Sequence, residues 1–213
     1  MATPITHFFH THSDNTHDVY HLTFFNDTIE TLVTATPSYV DTWISTIQRP
    51  HLHSLIVGLD VEWRPNYQTP NLQNPVATLQ LCVGNQCLIF QIIMSPAIPQ
   101  SLINFLANPC YTFVGVGIDN DVEKLTRNYG LSVARWADLR DVAANVYGVR
   151  EFKNAGIKVL AEQILGKQVD KPKSVTMSRW DSRYLTPAQV QYAAIDAFLS
   201  FEIGRVLMSG NRN

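Results

Sequence analysis

The sequence predicts an α/β protein in which a mixed β-sheet is covered by α-helices. Runs of apolar and β-branched residues, separated by turn residues, fill most of the first half, whereas helical patterns dominate the second half. No internal repeat or low-complexity linker interrupts the 213 residues. We therefore predict a single domain over residues 17–213, preceded by a flexible polar tail over residues 1–16.

The domain is predicted to begin with a hairpin and a helix. Asn26-Asp27 separates two runs rich in β-forming residues, which is typical of a hairpin turn. Thr36 precedes Pro37, and this pairing of an N-cap with a proline at the first helical position predicts a helix that ends at about Gln48.

An apolar run over residues 55–63 predicts a buried central strand. Two further strands, over residues 76–84 and 86–92, flank a tight turn at Gly84-Asn85, and the combination predicts a mixed sheet. The later predicted elements are a helix over residues 99–108, a strand over 112–117, a helix over 119–130, a short strand near Trp136, and helices over 138–147 and 157–165.

The last helix has the clearest start. Thr186 and Gln189 form a capping box around Pro187, which takes the first helical position, and the helix is predicted to continue to about Met208. The basic segment 170–185 before it is predicted to be a loop.

The composition is that of a globular protein. Hydrophobic residues make up 46% of the chain and charged residues 16%, which excludes a disordered chain. No run approaches the roughly 18 apolar residues of a membrane span, and the N-terminal residues lack the basic and apolar regions of a signal peptide. We therefore expect a cytoplasmic protein, with a nuclear location also open, and no membrane partner.

Of its three cysteines, Cys82 and Cys87 lie in strand-like apolar runs and are predicted to be reduced, buried, structural thiols.

Charge is distributed unevenly along the chain. Residues 1–100 contain two basic and seven acidic side chains, whereas residues 101–213 contain fourteen basic and eleven acidic ones, and the net charge is −2. A basic surface that faces a phosphate backbone and simple chance both fit this distribution.

Two acidic side chains end the predicted central strand. Asp60 and Glu62 lie two residues apart, so they project from the same face of the strand. Neighbouring carboxylates repel each other and lose solvation, and a bound cation relieves both effects. A strand end that simply reaches solvent is the alternative.

Two further groups of polar residues are ambiguous when each is taken alone. Tyr192 and Asp196 stack at i and i+4 on the last helix, where a structural hydrogen bond is as plausible as a site. Asp119 and Asp121 open another helix, where Asp119 suits an N-cap and Asp121 the first turn. Combined with the strand acids, Asp121 and Asp196 supply the four carboxylates that two divalent ions about 3.5–4 Å apart need to clamp a phosphodiester. Such hard oxygen ligands favour Mg²⁺ or Mn²⁺.

These motifs resemble those of the DEDD superfamily of 3′–5′ exonucleases, which have an RNase H-like fold. The resemblance covers roughly residues 20–207 and is carried by LDVEW (59–63), FVGVGIDNDVEKL (113–125) and LTPAQVQYAAIDAF (185–198). Tyr192 lies four residues before Asp196, as in the Tyr subgroup, and Gln191 occupies the position of the histidine in the His subgroup. The GVGI-x-x-D spacing is similar to that of the Werner-syndrome-type branch and selects Asp121 over Asp119.

The resemblance implies a role for each of these side chains. Asp60, Glu62 and Asp196 would hold the ion that activates the attacking water, and Asp60 would bridge to a second ion that Asp121 reaches through water. Tyr192 would orient the attacking water. The same resemblance implies a single 3′–5′ exonuclease domain that uses two Mg²⁺ or Mn²⁺ ions.

The family cuts from a free 3′ end, so a single strand of nucleic acid is the expected substrate. The expected contacts to its backbone and bases are basic and aromatic side chains near the motifs: Trp63, Arg64, Lys171, Lys173, Arg179, Trp180 and Arg183. Packing is the alternative role for Trp63 and Trp180.

The residues alone do not distinguish RNA from DNA. The chain looks most like the small plant RISC-interacting clearing exoribonucleases, which implies single-stranded RNA, a role in RNA silencing, an Argonaute-containing partner and a ring-like homo-oligomer such as a hexamer. The alternatives are a single-stranded DNA exonuclease, an inactive module that binds nucleic acid or protein, a structural or interaction protein with coincidental acids, and a metal-dependent phosphatase or nucleotidase of small molecules.

Overall fold

The computed structural model describes residues 5–13, 16–49, 54–66 and 73–209, and its strands join in one sheet. The strands are β1 (Ile5–Ser13), β2 (His17–Phe24), β3 (Asp27–Thr34), β4 (Leu55–Glu62), β5 (Thr78–Val83), β6 (Gln86–Phe90), β7 (Tyr111–Gly115) and β8 (Trp136–Asp138). Their order across the sheet is β1-β2-β3-β6-β5-β4-β7-β8. The β3–β6, β4–β7 and β7–β8 pairs are parallel and the others antiparallel, so the predicted mixed sheet is confirmed.

The helices agree with the predicted ranges apart from their ends. They are α1 (Pro37–Gln48), α2 (Gln100–Leu106), α3 (Ile118–Tyr129), α4 (Leu139–Tyr147), α5 (Ile157–Leu165), α6 (Lys173–Thr176) and α7 (Pro187–Ser209). The short helix α6 lies in the segment that was predicted to be a loop, directly after Pro172, since proline is compatible with the start of a helix. Within the described residues, no helix is both long and apolar enough to cross a bilayer.

The N-terminal segment differs from the prediction of a flexible tail. Ile5–Ser13 is a strand that pairs with β2, although residues 1–4 and 14–15 lie outside the described part of the chain. Aromatic rings of the two strands also stack. The ring centroids of Phe8 and Tyr20 lie 5.1 Å apart, and those of Phe9 and His21 lie 5.6 Å apart. Phe9 nevertheless remains 53% exposed.

The first hairpin forms as predicted, but its turn lies one residue earlier. Phe24 pairs with Asp27, which leaves Phe25 and Asn26 as the turn instead of Asn26-Asp27. The buried residues of the two strands determine this register, and Phe25 consequently takes a positive φ of 55°.

The long helix α7 packs directly on the central strand β4. A Cβ atom on Gly58 would lie 2.1 Å from the carbonyl oxygen of Ala197 and 2.7 Å from the backbone nitrogen of Phe201. Only glycine therefore permits this approach, which brings one face of α7 beside the residues that follow Gly58 on β4.

The thiols lie where the strand pattern predicted them. Cys82 and Cys87 are buried opposite each other on β5 and β6, and Cys110 is exposed; all three are free. The Cys87 thiol donates a weak hydrogen bond to the carbonyl oxygen of Ala194 on α7 at 3.7 Å. The prediction of buried structural thiols is confirmed for the first two cysteines.

Candidate active site

Three carboxylates meet between β4 and α7. Asp60 and Glu62 project from the face of β4 that carries Gly58, and Asp196 projects from α7 toward them. One oxygen atom from each of the three carboxylates lies within 4.8 Å of the other two. The fold therefore brings together acids that lie more than a hundred residues apart in the sequence.

The start of α7 is well defined, which positions the residues that follow. The amide of Thr186 donates to the Gln189 side chain at 2.9 Å, and the amide of Gln189 donates back to the Thr186 hydroxyl at 3.3 Å. The predicted capping box is thus confirmed. Downstream, Tyr192 is buried, and its hydroxyl oxygen accepts a hydrogen bond from the Thr176 hydroxyl at 3.3 Å.

The structure separates the two acids at the start of α3. The N-cap is Gly117, with φ 76°, and not Asp119 as predicted from the sequence. Gly117 takes that position because its amide donates to the Asp138 carboxylate at 3.0 Å and because glycine tolerates a positive φ. Asp119 is exposed and accepts from the Trp136 indole at 2.7 Å, whereas Asp121 is buried and interacts electrostatically with Asp60.

Burial and mutual repulsion raise the pKa of these acids. Burial, reinforced by Asp196, raises the pKa of Asp60 to about 7, and burial, reinforced by Asp60, raises the pKa of Glu62 to about 10. Burial and the charge of Asp60 raise the pKa of Asp121 to about 9. Simultaneous ionisation of the four carboxylates is therefore unfavourable in the folded protein unless positive charge is supplied.

Lys171 supplies part of that charge. Its ammonium group forms an ion pair with Asp196 and lies 4.8 Å from the centroid of the Tyr192 ring, and its side chain is only 23% exposed. Burial lowers the pKa of Lys171, but electrostatic interactions with Asp196, Tyr192 and Asp60 outweigh it and raise the pKa overall. From the sequence, Lys171 was expected to lie on a loop and to contact the backbone of the nucleic acid. Nothing in the sequence indicated that this lysine reaches the carboxylates.

The other predicted basic contacts lie outside the carboxylate cluster. Arg64 is exposed and forms an ion pair with Asp181 at 3.2 Å, at the wall of a cavity of about 490 Å³. Lys173 opens α6 and is exposed, Arg179 is 72% exposed, and the Arg183 guanidinium lies 5.6 Å from the ring of Tyr184.

The two tryptophans differ in accessibility. Trp180 is completely buried, its indole donates to the carbonyl oxygen of Thr176 at 3.2 Å, and its ring packs beside Tyr192. A stacking role for Trp180 is therefore wrong, because no base can reach it without opening the core. Trp63 is half-buried, and the ammonium group of Lys124 lies 3.9 Å from its ring centroid.

Two polar residues next to the acids were not singled out from the sequence. Thr78 and Gln80 on β5 are fully buried and lie opposite Glu62 and Asp60, respectively. A glutamine within an otherwise apolar strand was the available signal. Gln91 was also missed; its amide donates to the carbonyl oxygens of Ser182 and Arg183, both at 3.1 Å, and so fastens the loop before α7.

Comparison with known proteins agrees with this arrangement. The family model described as 3′–5′ exonuclease matches residues 34–209, a span that includes all four carboxylates and Tyr192. The chain belongs to the 3′–5′ exonuclease family. Its resemblance to this family, which the motifs indicated, is thereby confirmed.

Two curated relatives show how the similarity is distributed. A 3′–5′ exonuclease of Arabidopsis thaliana is 39% identical over 152 residues, which is 71% of this chain and 52% of that protein. The bifunctional 3′–5′ exonuclease/ATP-dependent helicase WRN of Mus musculus is 37% identical over 144 residues, which is 67% of this chain and 10% of that protein. The chain thus matches about half of one relative and a tenth of the other.

Solved structures agree with the fold. RNase D of Escherichia coli, described as an exoribonuclease involved in structured RNA processing, superposes with a TM-score of 0.67 at 21% identity, covering 83% of this chain and 44% of RNase D. The EXD2 exonuclease domain, soaked in Mg and GMP, has a TM-score of 0.50 at 27% identity, covering 84% of this chain and 88% of that domain. The predicted RNase H-like α/β fold is therefore confirmed.

Proposed function

We propose that this protein is a divalent-metal-dependent 3′–5′ exonuclease that degrades single-stranded RNA. The observation that carries the proposal is the cluster of carboxylate oxygens from Asp60, Glu62 and Asp196 within 4.8 Å of one another. Asp121 and Tyr192 lie buried around it, as the Tyr subgroup of the DEDD exonucleases requires.

The donor set suits two Mg²⁺ or Mn²⁺ ions. It consists of carboxylates alone, which are the ligands that these ions prefer. Burial and mutual repulsion raise the pKa values of Asp60 and Glu62, and bound cations would relieve that repulsion. When bound, such ions lower the pKa of water and stabilise the attacking and leaving oxygens of a phosphodiester. The EXD2 domain was soaked in Mg, which supports the same choice of metal.

The remaining groups have separate tasks in this proposal. Burial and the charge of Asp196 raise the pKa of Tyr192 above its usual value, so its hydroxyl keeps its proton at neutral pH. Tyr192 therefore orients the attacking water by a hydrogen bond and does not act as the general base. Lys171 balances the charge of Asp196 through their ion pair.

RNA as the substrate rests on the resemblance to the small plant clearing exoribonucleases. By the same resemblance we propose a cytoplasmic protein that forms a ring-like homo-oligomer, such as a hexamer, and acts with an Argonaute-containing partner in RNA silencing. The residues proposed to contact the substrate strand are Trp63 and Arg64, which directly follow Glu62, and Lys173, Arg179 and Arg183, which lie in the segment before α7.

The proposal is tested with 5′-labelled RNA and DNA of one sequence, each incubated with protein in Mg²⁺, in Mn²⁺ or in EDTA. A metal-dependent ladder that shortens from the 3′ end, faster on RNA, is the expected result, and Asp60→Ala should abolish it. Faster cleavage of DNA would identify a DNA exonuclease. No cleavage of either strand would favour the inactive binding module, although all four carboxylates are present.

A further inference from the structure

Two buried polar side chains of β5 lie beside the carboxylates of β4. The antiparallel register places Gln80 opposite Asp60 and Thr78 opposite Glu62. Residues directly opposite each other in antiparallel strands project from the same face, with Cβ atoms about 4.5–5.5 Å apart. Both side chains are fully inaccessible to solvent. Gln80 is thus the immediate cross-strand neighbour of Asp60, beneath α7.

One oxygen atom of Gln80 and one of Asp60 lack a donor. The Gln80 amide nitrogen donates to the Thr78 hydroxyl at 2.6 Å, which leaves the Gln80 Oε1 atom buried and unpaired within the described chain. The Asp60 Oδ2 atom is also buried and unpaired there. Two acceptors without a donor, on residues that face each other across one strand pair, are an unfavourable combination in a core.

A half-turn of the Gln80 amide supplies donors to both atoms. This rotation exchanges the amide nitrogen and oxygen with little change of shape, because the terminal torsion of glutamine is broad and roughly two-fold. The amide oxygen would then accept a hydrogen bond from the Thr78 hydroxyl. The amide nitrogen would lie where the unpaired oxygen was, and from there it can donate toward the Asp60 carboxylate.

We propose that Gln80 is a positioning residue that donates a hydrogen bond to the Oδ2 atom of Asp60 and thereby fixes the orientation in which the Asp60 carboxylate would hold a metal ion. This inference rests on the proposed metal-dependent function. A donor behind a metal-binding carboxylate holds its orientation, and removal of such a donor commonly weakens metal affinity about 10- to 100-fold. Gln80 contacts neither metal nor substrate in this role.

The test compares Gln80→Met with Ile89→Met in the full chain. Methionine preserves much of the glutamine volume and removes the donor. Ile89 lies opposite Gln80 on β6 and is fully buried on the same face, so its substitution disturbs the packing without removing a polar group. Calorimetric titration with Mn²⁺ in the absence of substrate measures affinity, and circular dichroism monitors the fold.

Gln80→Met should raise the apparent Kd for Mn²⁺ about tenfold or more, and higher Mg²⁺ concentrations should restore much of its nuclease activity. Ile89→Met should remain within about twofold of the wild type. The inference would be overturned if Gln80→Met bound Mn²⁺ as tightly as the wild type or if Ile89→Met lost as much Mn²⁺ affinity as Gln80→Met. It would also be overturned if the wild type did not bind Mn²⁺.

Thr78→Val provides a second variant if Gln80→Met does not fold. It removes the hydroxyl that orients the amide, and it should raise the apparent Kd for Mn²⁺ about threefold or more; a smaller change would overturn the inference.

The inference and the proposed function can fail separately. A wild type that cleaves RNA while Gln80→Met binds Mn²⁺ equally well would refute only the role of Gln80. If Gln80→Met bound Mn²⁺ more weakly but the wild type cleaved no nucleic acid, only the proposed nuclease activity would be refuted.

Discussion

The two aspartates at the start of α3 are chemically identical, but their surroundings differ. Asp121 is buried next to the carboxylates, whereas Asp119 is exposed and bonded to Trp136. We expect Asp121→Ala to lower the rate of 3′ trimming about a hundredfold or more, because the proposed function assigns this carboxylate to the metal site. Asp119→Ala should trim at the wild-type rate in the same gel assay. The reverse outcome would show that the second acidic motif uses Asp119.

Tyr192 offers a second test at the scale of one atom. Tyr192→Phe keeps the buried ring beside Trp180 and removes only the hydroxyl. Because the role proposed for that hydroxyl is to orient water and not to transfer the proton, we expect a loss of about 10- to 100-fold in kcat with little change in KM. Steady-state kinetics with labelled RNA measures both. A rate equal to that of the wild type would exclude a water-orienting role.

At the scale of elements, the site depends on how closely α7 approaches β4. Gly58→Ala would place a methyl group 2.1 Å from the carbonyl oxygen of Ala197, so the helix must shift. We expect a loss of about 1–3 kcal/mol in the free energy of unfolding, which chemical denaturation measures, together with weaker Mn²⁺ binding because Asp196 moves away from Asp60.

Gly156→Ala is the matched control for this substitution. A Cβ atom on Gly156 would meet nothing within 4 Å in the described chain, and its φ of −80° suits alanine. The control should retain wild-type stability and metal affinity. If Gly58→Ala behaved like Gly156→Ala, the close contact between α7 and β4 would not determine the geometry of the site.

The elements also show what the sequence could and could not predict. Local signals were sufficient for α7, whose capping box is present, and for β4, whose apolar run is buried. They failed for β1, because its own aromatic rings stack on rings of β2 while they remain partly exposed. They also failed at the first hairpin, where the register of buried residues determined the turn.

The candidate site was predictable in its acids and not in their neighbours. Strand and helix periodicity placed Asp60, Glu62 and Asp196 on faces that could meet, and the family resemblance selected Asp121. Lys171 was recognised only as a loop cation, since its ion pair with Asp196 depends on how the chain folds back before α7. Gln80 requires the β4–β5 register, which no local pattern specifies.

For the whole molecule, the raised pKa values make stability depend on pH. Asp60, Glu62 and Asp121 have pKa values of about 7, 10 and 9 in the folded chain, all above their ordinary values of 3.8, 4.5 and 3.8. An acid whose pKa rises on folding holds its proton more tightly in the native state, so its stabilising contribution is complete below the unfolded pKa. That contribution is lost as the pH rises through the folded pKa.

The metal-free protein should therefore lose stability between about pH 4 and pH 10. We expect its Tm in EDTA to fall by roughly 5 °C or more from pH 6 to pH 9, and Mn²⁺ to offset this fall because metal binding requires the deprotonated acids. Lys171 does not contribute to this pH dependence, since its raised pKa affects stability only above its ordinary pKa of 10.5.

Calorimetry of the wild type beside Glu62→Gln tests the origin of the effect, because the variant removes one titrating acid and should show a smaller fall in Tm. Equal falls in the two proteins would assign the pH dependence to groups outside the carboxylate cluster.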